Sequence, residues 1–345
     1  MMGGPSAGGI GTLGARRILS RLVTAALTAL VAMVLVLGGL LPAMTPGLTH
    51  ALSERLAWSD LSPFDSAQLA QVAEAARDYS FGSHDKQALY DAVLQVNRQL
   101  SDERAAQGAS KGDGRPAGRA SGTPAGAPRL DQLASDAAFP EVQRVLDGAS
   151  DAYVLGPEAI GHLDDVFAVG LAAKSALIAA LALLAGTVLG TAMRSRALHA
   201  RDPRGADRPA PDQGRPDAGH ATCERPRETR DGMALATHLA VLARPLRSAA
   251  RMTALALAAL GLWAAIDFMG LFTAFHQVFF AQGTWTFSAR SLLICALPTE
   301  LWMTLGGIWL AGMLALCAAA ELAGRRLARK GRATARTPAA GPARR

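Results

Sequence analysis

Four long apolar runs constrain this chain more than any other feature of its sequence. Leu22–Leu41 and Leu301–Ala320 are each twenty residues without a charge, Val166–Met193 carries only Lys174, and Met252–Thr273 carries only Asp267. Each reaches the ~20 residues with which a helix crosses ~30 Å of hydrocarbon. The chain therefore reads as an all-α integral membrane protein: four transmembrane helices, with an extracytoplasmic helical segment between the first and the second. Its 345 residues would suffice for two soluble domains, but it is 50% hydrophobic and that share is concentrated in the runs.

The first run reads as an anchor rather than a cleaved signal peptide. Arg16, Arg17 and Arg21 precede it as an n-region would, but the run is longer than a signal h-region of roughly 7 to 15 residues and continues into Leu-Pro-Ala-Met-Thr-Pro without a small-x-small site.

Charge orients the runs. Thr45–Asp165 holds 10 Lys and Arg against 18 Asp and Glu; Arg194–Arg251 holds 12 Arg against 7 acids; the tail after Leu322 holds 8 basic residues and no acid. Basic segments stay cytoplasmic, so both termini and the middle loop are expected inside and the acidic segment outside a cell membrane crossed several times. The formal net charge of +7 then reports topology, and no nucleic-acid partner is expected.

The expected organisation is a cytoplasmic segment 1–21, a first span 22–41, an extracytoplasmic segment 42–165 with a flexible Gly/Ala/Ser/Pro/Arg insertion at 101–128, a second span 166–193, a basic loop 194–251, a third span 252–273, an outer loop 274–300, a fourth span 301–320 and a basic tail 321–345. In the outer segment Asp65 or Ser66 can cap a helix bearing Leu69, Val72 and Ala76, and Ser83 one bearing Leu89, Val93, Val96 and Leu100; a third helix is expected over 129–146. Ala168, Ala172, Ala176 and Ala180, and likewise Gly307, Ala311, Ala315 and Ala319, form small-residue stripes of the kind that let membrane helices approach closely. Cys223, Cys295 and Cys317 have neither disulfide-framework nor metal-ligand spacing.

Two histidines stand out. His276 lies among Phe272, Phe275, Phe279 and Phe280. In a helix over 271–280 it shares a face with Phe272, Phe279 and Phe280. His162 stands at the start of the second span in Gly-His-Leu-Asp-Asp-Val, with Asp165 one turn on, where a carboxylate can fix the imidazole tautomer. The topology brings both to the same outer boundary. Such a pair suits acid/base work on a lipid-like substrate; a metal pair and a purely structural role are the other readings. Lys174 and Asp267 are ionisable groups inside apolar runs, and Trp285 and Trp302 fit an interfacial aromatic belt.

His-Leu-Asp-Asp-Val, Phe-His-Gln-Val-Phe-Phe, Trp285 and Leu-Pro-Thr-Glu-Leu-Trp together resemble a bacterial family of four-helix integral membrane proteins that includes lipoprotein transacylases. The family's two functional histidines fall on His162 and His276. The resemblance implies an acyltransferase that moves a chain within a diacylglyceryl-modified lipoprotein, from the sn-2 oxygen to the α-amino group of the N-terminal cysteine. It implies acid and base roles for the two histidines, not assigned to either, with Asp165 orienting His162. Its partners would be bacterial lipoproteins and membrane lipid, with no cofactor and no metal. The alternative is a non-enzymatic multi-pass membrane component or assembly partner of the cell envelope.

Overall fold

The computed structural model describes residues 8–110, 124–134, 136–200 and 240–336, and all regular structure among them is helical. Ten α-helices succeed one another within these residues: α1 (Gly8–Gly39), α2 (Pro46–Leu56), α3 (Ser66–Phe81), α4 (Lys86–Ser110), α5 (Phe139–Asp147), α6 (Pro157–Ala200), α7 (Ala243–Ile266), α8 (Phe268–Phe279), α9 (Leu292–Ala296) and α10 (Thr299–Arg336). Four stretches, Gly14–Gly39, Pro157–Arg194, Ala240–Ile266 and Thr299–Lys330, are long and apolar enough to cross a membrane. The chain is an all-α membrane protein with four candidate spanning helices.

The chain folds as two compact units. One comprises residues 39–175 and 258–312, and its core is built by the helices between the first and second spans. Asp65 opens α3 with a capping box: its carboxylate accepts from the Gln68 backbone N–H at 2.8 Å, while the Gln68 side chain accepts from the Asp65 N–H at 3.1 Å. Leu69, Val72, Ala73 and Ala76 then recur at helical spacing and are fully buried. On α4, Leu89, Val93, Val96 and Leu100 join the same core, with Leu292, Leu293, Ala296 and Leu301 from the region of α9 and the start of α10. These helices cover one another's apolar faces. Polar ties fix the assembly: Ser53 Oγ donates to the Ala296 carbonyl at 2.8 Å, and Trp58 Nε1 donates to Glu300 at 3.0 Å.

Several boundaries differ from the sequence expectation. Asp85, not Ser83, caps the start of α4, accepting from the Ala88 N–H at 3.1 Å. The helix continues to Ser110, inside the stretch read as an insertion, and Glu103 there accepts from the Gln68 side chain at 3.1 Å. Residues 111–123 of that stretch lie outside the described residues. The helix expected over 129–146 is a short 3₁₀ turn at Leu130–Gln132 followed by α5. Pro140 sits in the first turn of α5, where its missing N–H costs nothing, and the extended residue at the N-cap is Ala138. The third span breaks at Asp267, whose non-helical backbone ends α7 and whose side chain caps α8.

The second unit comprises residues 1–38, 176–257 and 313–345. Its core holds Val31 and Leu35 of α1, Ala249 and Ala250 of α7, and Cys317 and Ala320 of α10. Arg247, Arg251 and Arg325 converge on Glu321 at 2.8 to 3.3 Å. The small stripes are packed only in part: Ala180 is buried and Ala176 half-buried on α6, whereas Ala168, Ala172, Gly307, Ala311, Ala315 and Ala319 are exposed and α10 buries Met313, Cys317 and Ala320. Helix α1 begins at Gly8, ahead of the first apolar run, and Cys223, His220 and His238 lie outside the described residues.

Candidate functional site

Asp267 sets the position of His276. Its carboxylate accepts from the Gly270 N–H at 2.8 Å and so starts α8, and a Cβ at Gly270 would lie 2.0 Å from that carboxylate. Nine residues after the cap, His276 Nδ1 meets the Phe272 carbonyl at 2.8 Å. A carbonyl only accepts, so Nδ1 carries the proton and Nε2 keeps the lone pair. Phe272 covers the ring at 3.9 Å between centroids and Phe280 lies at 5.5 Å; Phe279 pairs with the exposed Phe275 and leaves the imidazole. After α8 the chain turns back and lays Trp285 over His276 at 4.9 Å. Trp285 therefore belongs to the site.

His162 comes from the second turn of α6. Its ring lies 6.2 Å from that of His276, with 25° between the planes, and is flanked by Phe280 at 4.8 Å and Phe287 at 5.7 Å. The two histidines that the sequence sets more than a hundred residues apart thus share one site. Asp165 does not join them. It is exposed, and His162 Nδ1 is buried with no hydrogen-bond partner. The neighbouring carboxylate is the engaged one: Asp164 accepts from the Tyr79 hydroxyl at 2.5 Å and stands 3.6 Å from His84 Nε2. His84 is itself stacked between Tyr79 and Phe167, a setting its sequence neighbourhood does not announce.

Both rings line a cavity of about 110 Å³, whose walls include Arg77, Ser80 and Phe81 of α3, Leu163 of α6, Trp285, Leu297 and Trp302. Its lining is mostly apolar, yet it collects unpaired polar atoms. Among the described residues five buried side-chain N and O atoms lack a hydrogen-bond partner, and four of them, Arg77 Nε, Ser80 Oγ, His162 Nδ1 and Trp285 Nε1, belong to residues lining this cavity. A buried polar atom without a partner costs ~1–3 kcal/mol, and this concentration makes the cavity the candidate ligand site. Burial also favours the neutral ring of His276, lowering its pKa from the ordinary 6.5, with the Phe272 carbonyl partly opposing the shift. No group of three or more His, Cys, Asp or Glu that could hold a metal exists among the described residues.

The other singled-out residues have structural partners. Lys174 donates to the Phe81 carbonyl, Asp267 is the α8 cap, Glu300 receives Trp58, and Trp302 Nε1 donates to the Leu297 carbonyl at 3.0 Å. Arg77 and Ser80 were not singled out by sequence. They sit on an amphipathic helix in which only their spacing of three, and not their chemistry, distinguishes them.

Residues 234–302, which hold His276, Trp285 and most of the loop that closes the cavity, match the sequence model of the family described as Lipoprotein intramolecular transacylase Lit. No curated protein matches the chain. Among solved structures, the in meso structure of the membrane integral lipoprotein intramolecular transacylase Lit from Bacillus cereus is similar at 14% identity, covering 91% of this chain and 98% of that one with a TM-score of 0.46. The part of the chain that carries His276 and covers it with Trp285 is thus similar to the lipoprotein intramolecular transacylase family.

Proposed function

We propose that the chain is a membrane acyltransferase that moves an acyl chain within a diacylglyceryl-modified lipoprotein N-terminus, from the sn-2 oxygen to the cysteine α-amino group. The observation that carries the reading is the pairing of His162 and His276 at 6.2 Å across an apolar cavity rich in unpaired polar atoms. The similarity of residues 234–302 to the transacylase family supports it. Both termini lie in the cytoplasm and the cavity on the outer side, where lipoproteins are held, in keeping with the basic loop and tail.

The chemistry follows from the groups present. An α-amine with pKa near 8 is largely protonated at neutral pH, and its attack on an ester requires a base to take a proton from it. His276 is suited to this: burial keeps it neutral, and the Phe272 carbonyl holds its proton on Nδ1 so that Nε2 is the accepting atom. The proton that His276 takes from the amine is passed through His162, one ring away, to the glycerol oxygen as it leaves, so that both rings end neutral. Asp165, exposed and unbonded to the ring, acts at most through its charge on this reading. A cavity of about 110 Å³ holds the reacting ester and amine but not a full acyl chain, which lies along the apolar surface beside it. Because both reacting groups belong to one molecule, closing the cavity over them supplies the proximity.

The test expresses the chain with a diacylglyceryl lipoprotein reporter in a host that lacks its own N-acylating enzymes, and reads the reporter N-terminus by mass spectrometry. Wild type should produce the N-acyl lyso form. His162→Ala and His276→Ala should each lower transfer ~10²- to 10⁴-fold at normal membrane levels. The double variant should lose far less than the product of the single losses, because groups acting as a unit are not additive. Full transfer by either single variant would remove that histidine from the acid/base pair, and no transfer by wild type would leave the non-enzymatic reading.

A further inference from the structure

We infer that Arg77 and Ser80 are the donors that hold the acyl carbonyl oxygen as it becomes an oxyanion. The inference rests on the transacylase reading and adds to it the half of the site that the histidines do not supply.

Both residues lie on the last turn and a half of α3, three apart and hence on one face, and both line the His162/His276 cavity. Ser80 is only 2% exposed and its hydroxyl has no partner. That is unusual for a hydroxyl inside a helix, whose default is to donate to the carbonyl four residues back. Thr24, Thr28, Thr187 and Thr304 do so here, each at 2.8 Å. Arg77 is buried to 13% side-chain exposure. Its Nη2 is tied to Asp78 at 2.6 Å, which leaves Nε buried and unpartnered. A guanidinium half-satisfied in this way, beside a free hydroxyl, is a pair of donors waiting for an acceptor.

The placement is imposed by α6, the helix that also carries His162. Gly170 lets the ring of Phe81 approach so closely that a Cβ there would stand 3.0 Å from it, and Lys174, one turn on, donates to the Phe81 carbonyl. These two contacts dock the end of α3 onto the same helix that presents the histidine.

Of the ligand chemistries an Arg and a Ser could serve, the substrate narrows the choice. A diacylglyceryl cysteine carries no phosphate; its oxygens that gain charge during the reaction are those of the attacked ester. When the amine nitrogen forms its bond to the ester carbon, the C=O π pair moves to the carbonyl oxygen, and a histidine takes the amine proton. When the pair returns, the carbon–oxygen bond to glycerol breaks, the glycerol oxygen takes a proton from the histidine pair, and an amide and a free hydroxyl result. Donors fixed around the carbonyl oxygen stabilise that intermediate without rearrangement, most effectively where water is excluded.

The experiment uses the purified full chain in detergent micelles with a synthetic diacylglyceryl lipopeptide, and measures kcat and KM by mass spectrometry. Arg77→Met should lower kcat ~10²- to 10³-fold, the range for one lost oxyanion donor, with KM changed by no more than about threefold. Ser80→Ala should lower kcat about tenfold or more, and Arg77→Lys should fall between Arg77→Met and wild type. A lipopeptide with a tetrahedral phosphonate in place of the reacting ester should bind wild type more tightly than substrate, and Arg77→Met should weaken that binding by about the factor it removes from kcat/KM. A purely structural role would not reproduce that proportion. An active wild type whose Arg77→Lys, Arg77→Met and Ser80→Ala variants keep kcat within about threefold would overturn this assignment alone. A wild type that transfers nothing would overturn the reaction and the assignment together.

Discussion

A half-buried imidazole among aromatic rings gives up proton affinity, and His276 shows the consequence at the scale of one residue. Its pKa lies below the ordinary 6.5 because burial penalises the cation, an effect only partly offset by the Phe272 carbonyl. The unfolded chain therefore binds more protons than the folded one in the interval between the two values. Stabilisation from neutral His276 is complete above about pH 6.5 and is lost as pH falls through the lowered folded-state value. The thermal midpoint in detergent should fall between about pH 7 and pH 5, and fall less in His276→Phe, which keeps the ring contacts without the titration. Equal slopes in the two proteins would show that other groups account for the dependence. His162 and His276 are legible in the sequence because a polar ring in an apolar neighbourhood is a local anomaly. Arg77 and Ser80 are not, since on a helix facing water the same residues would be ordinary.

At the scale of elements, two local devices govern the site. The first is the α8 cap. Asp267→Ala removes the acceptor for the Gly270 N–H and should cost ~0.5–2 kcal/mol, letting the first turn of α8 fray and His276 lose its register. Asp267→Asn, which retains a capping oxygen, should recover most of the reporter transfer; if Ala and Asn behave alike, the carboxylate charge matters and not the cap. The second is the dock of α3 on α6. Gly170→Leu places a branched side chain where the Phe81 ring already stands, and such overpacking should cost ~1–3 kcal/mol by thermal unfolding while also lowering transfer. Unchanged melting and transfer would mean that α3 is held elsewhere. The break at Asp267 hides within an apolar run because hydropathy averages over a window, whereas a cap depends on one side chain and one backbone angle.

At the scale of the whole molecule, the charge distribution predicts which side each segment occupies. Single cysteines placed at residues 111–123 in a chain lacking its native cysteines should react with a membrane-impermeant maleimide in intact cells, and a chain retaining Cys223 alone should not. The reverse pattern would put the cavity on the cytoplasmic face, away from lipoproteins, and the proposed reaction would fall with it.

The sequence by itself determined the four apolar helices, the acidic segment between the first two, a cap for α3 at Asp65 or Ser66, of which the structure uses Asp65, and the two histidines as local anomalies. Each is a property of a short stretch of chain: a run of side chains in hydrocarbon, a period of 3.6, a charge count, a carboxylate ahead of a helix. Tertiary structure decided what those stretches meet. Trp285 covers His276, Asp164 rather than Asp165 finds a partner, and the stripe of α10 stays exposed while Met313, Cys317 and Ala320 are buried. Above all, Arg77 and Ser80 line the cavity at the end of α3 that packs on α6, where Gly170, lacking a side chain, leaves room for Phe81. A contact between residues some ninety positions apart is set by packing in three dimensions, which no local period or composition encodes.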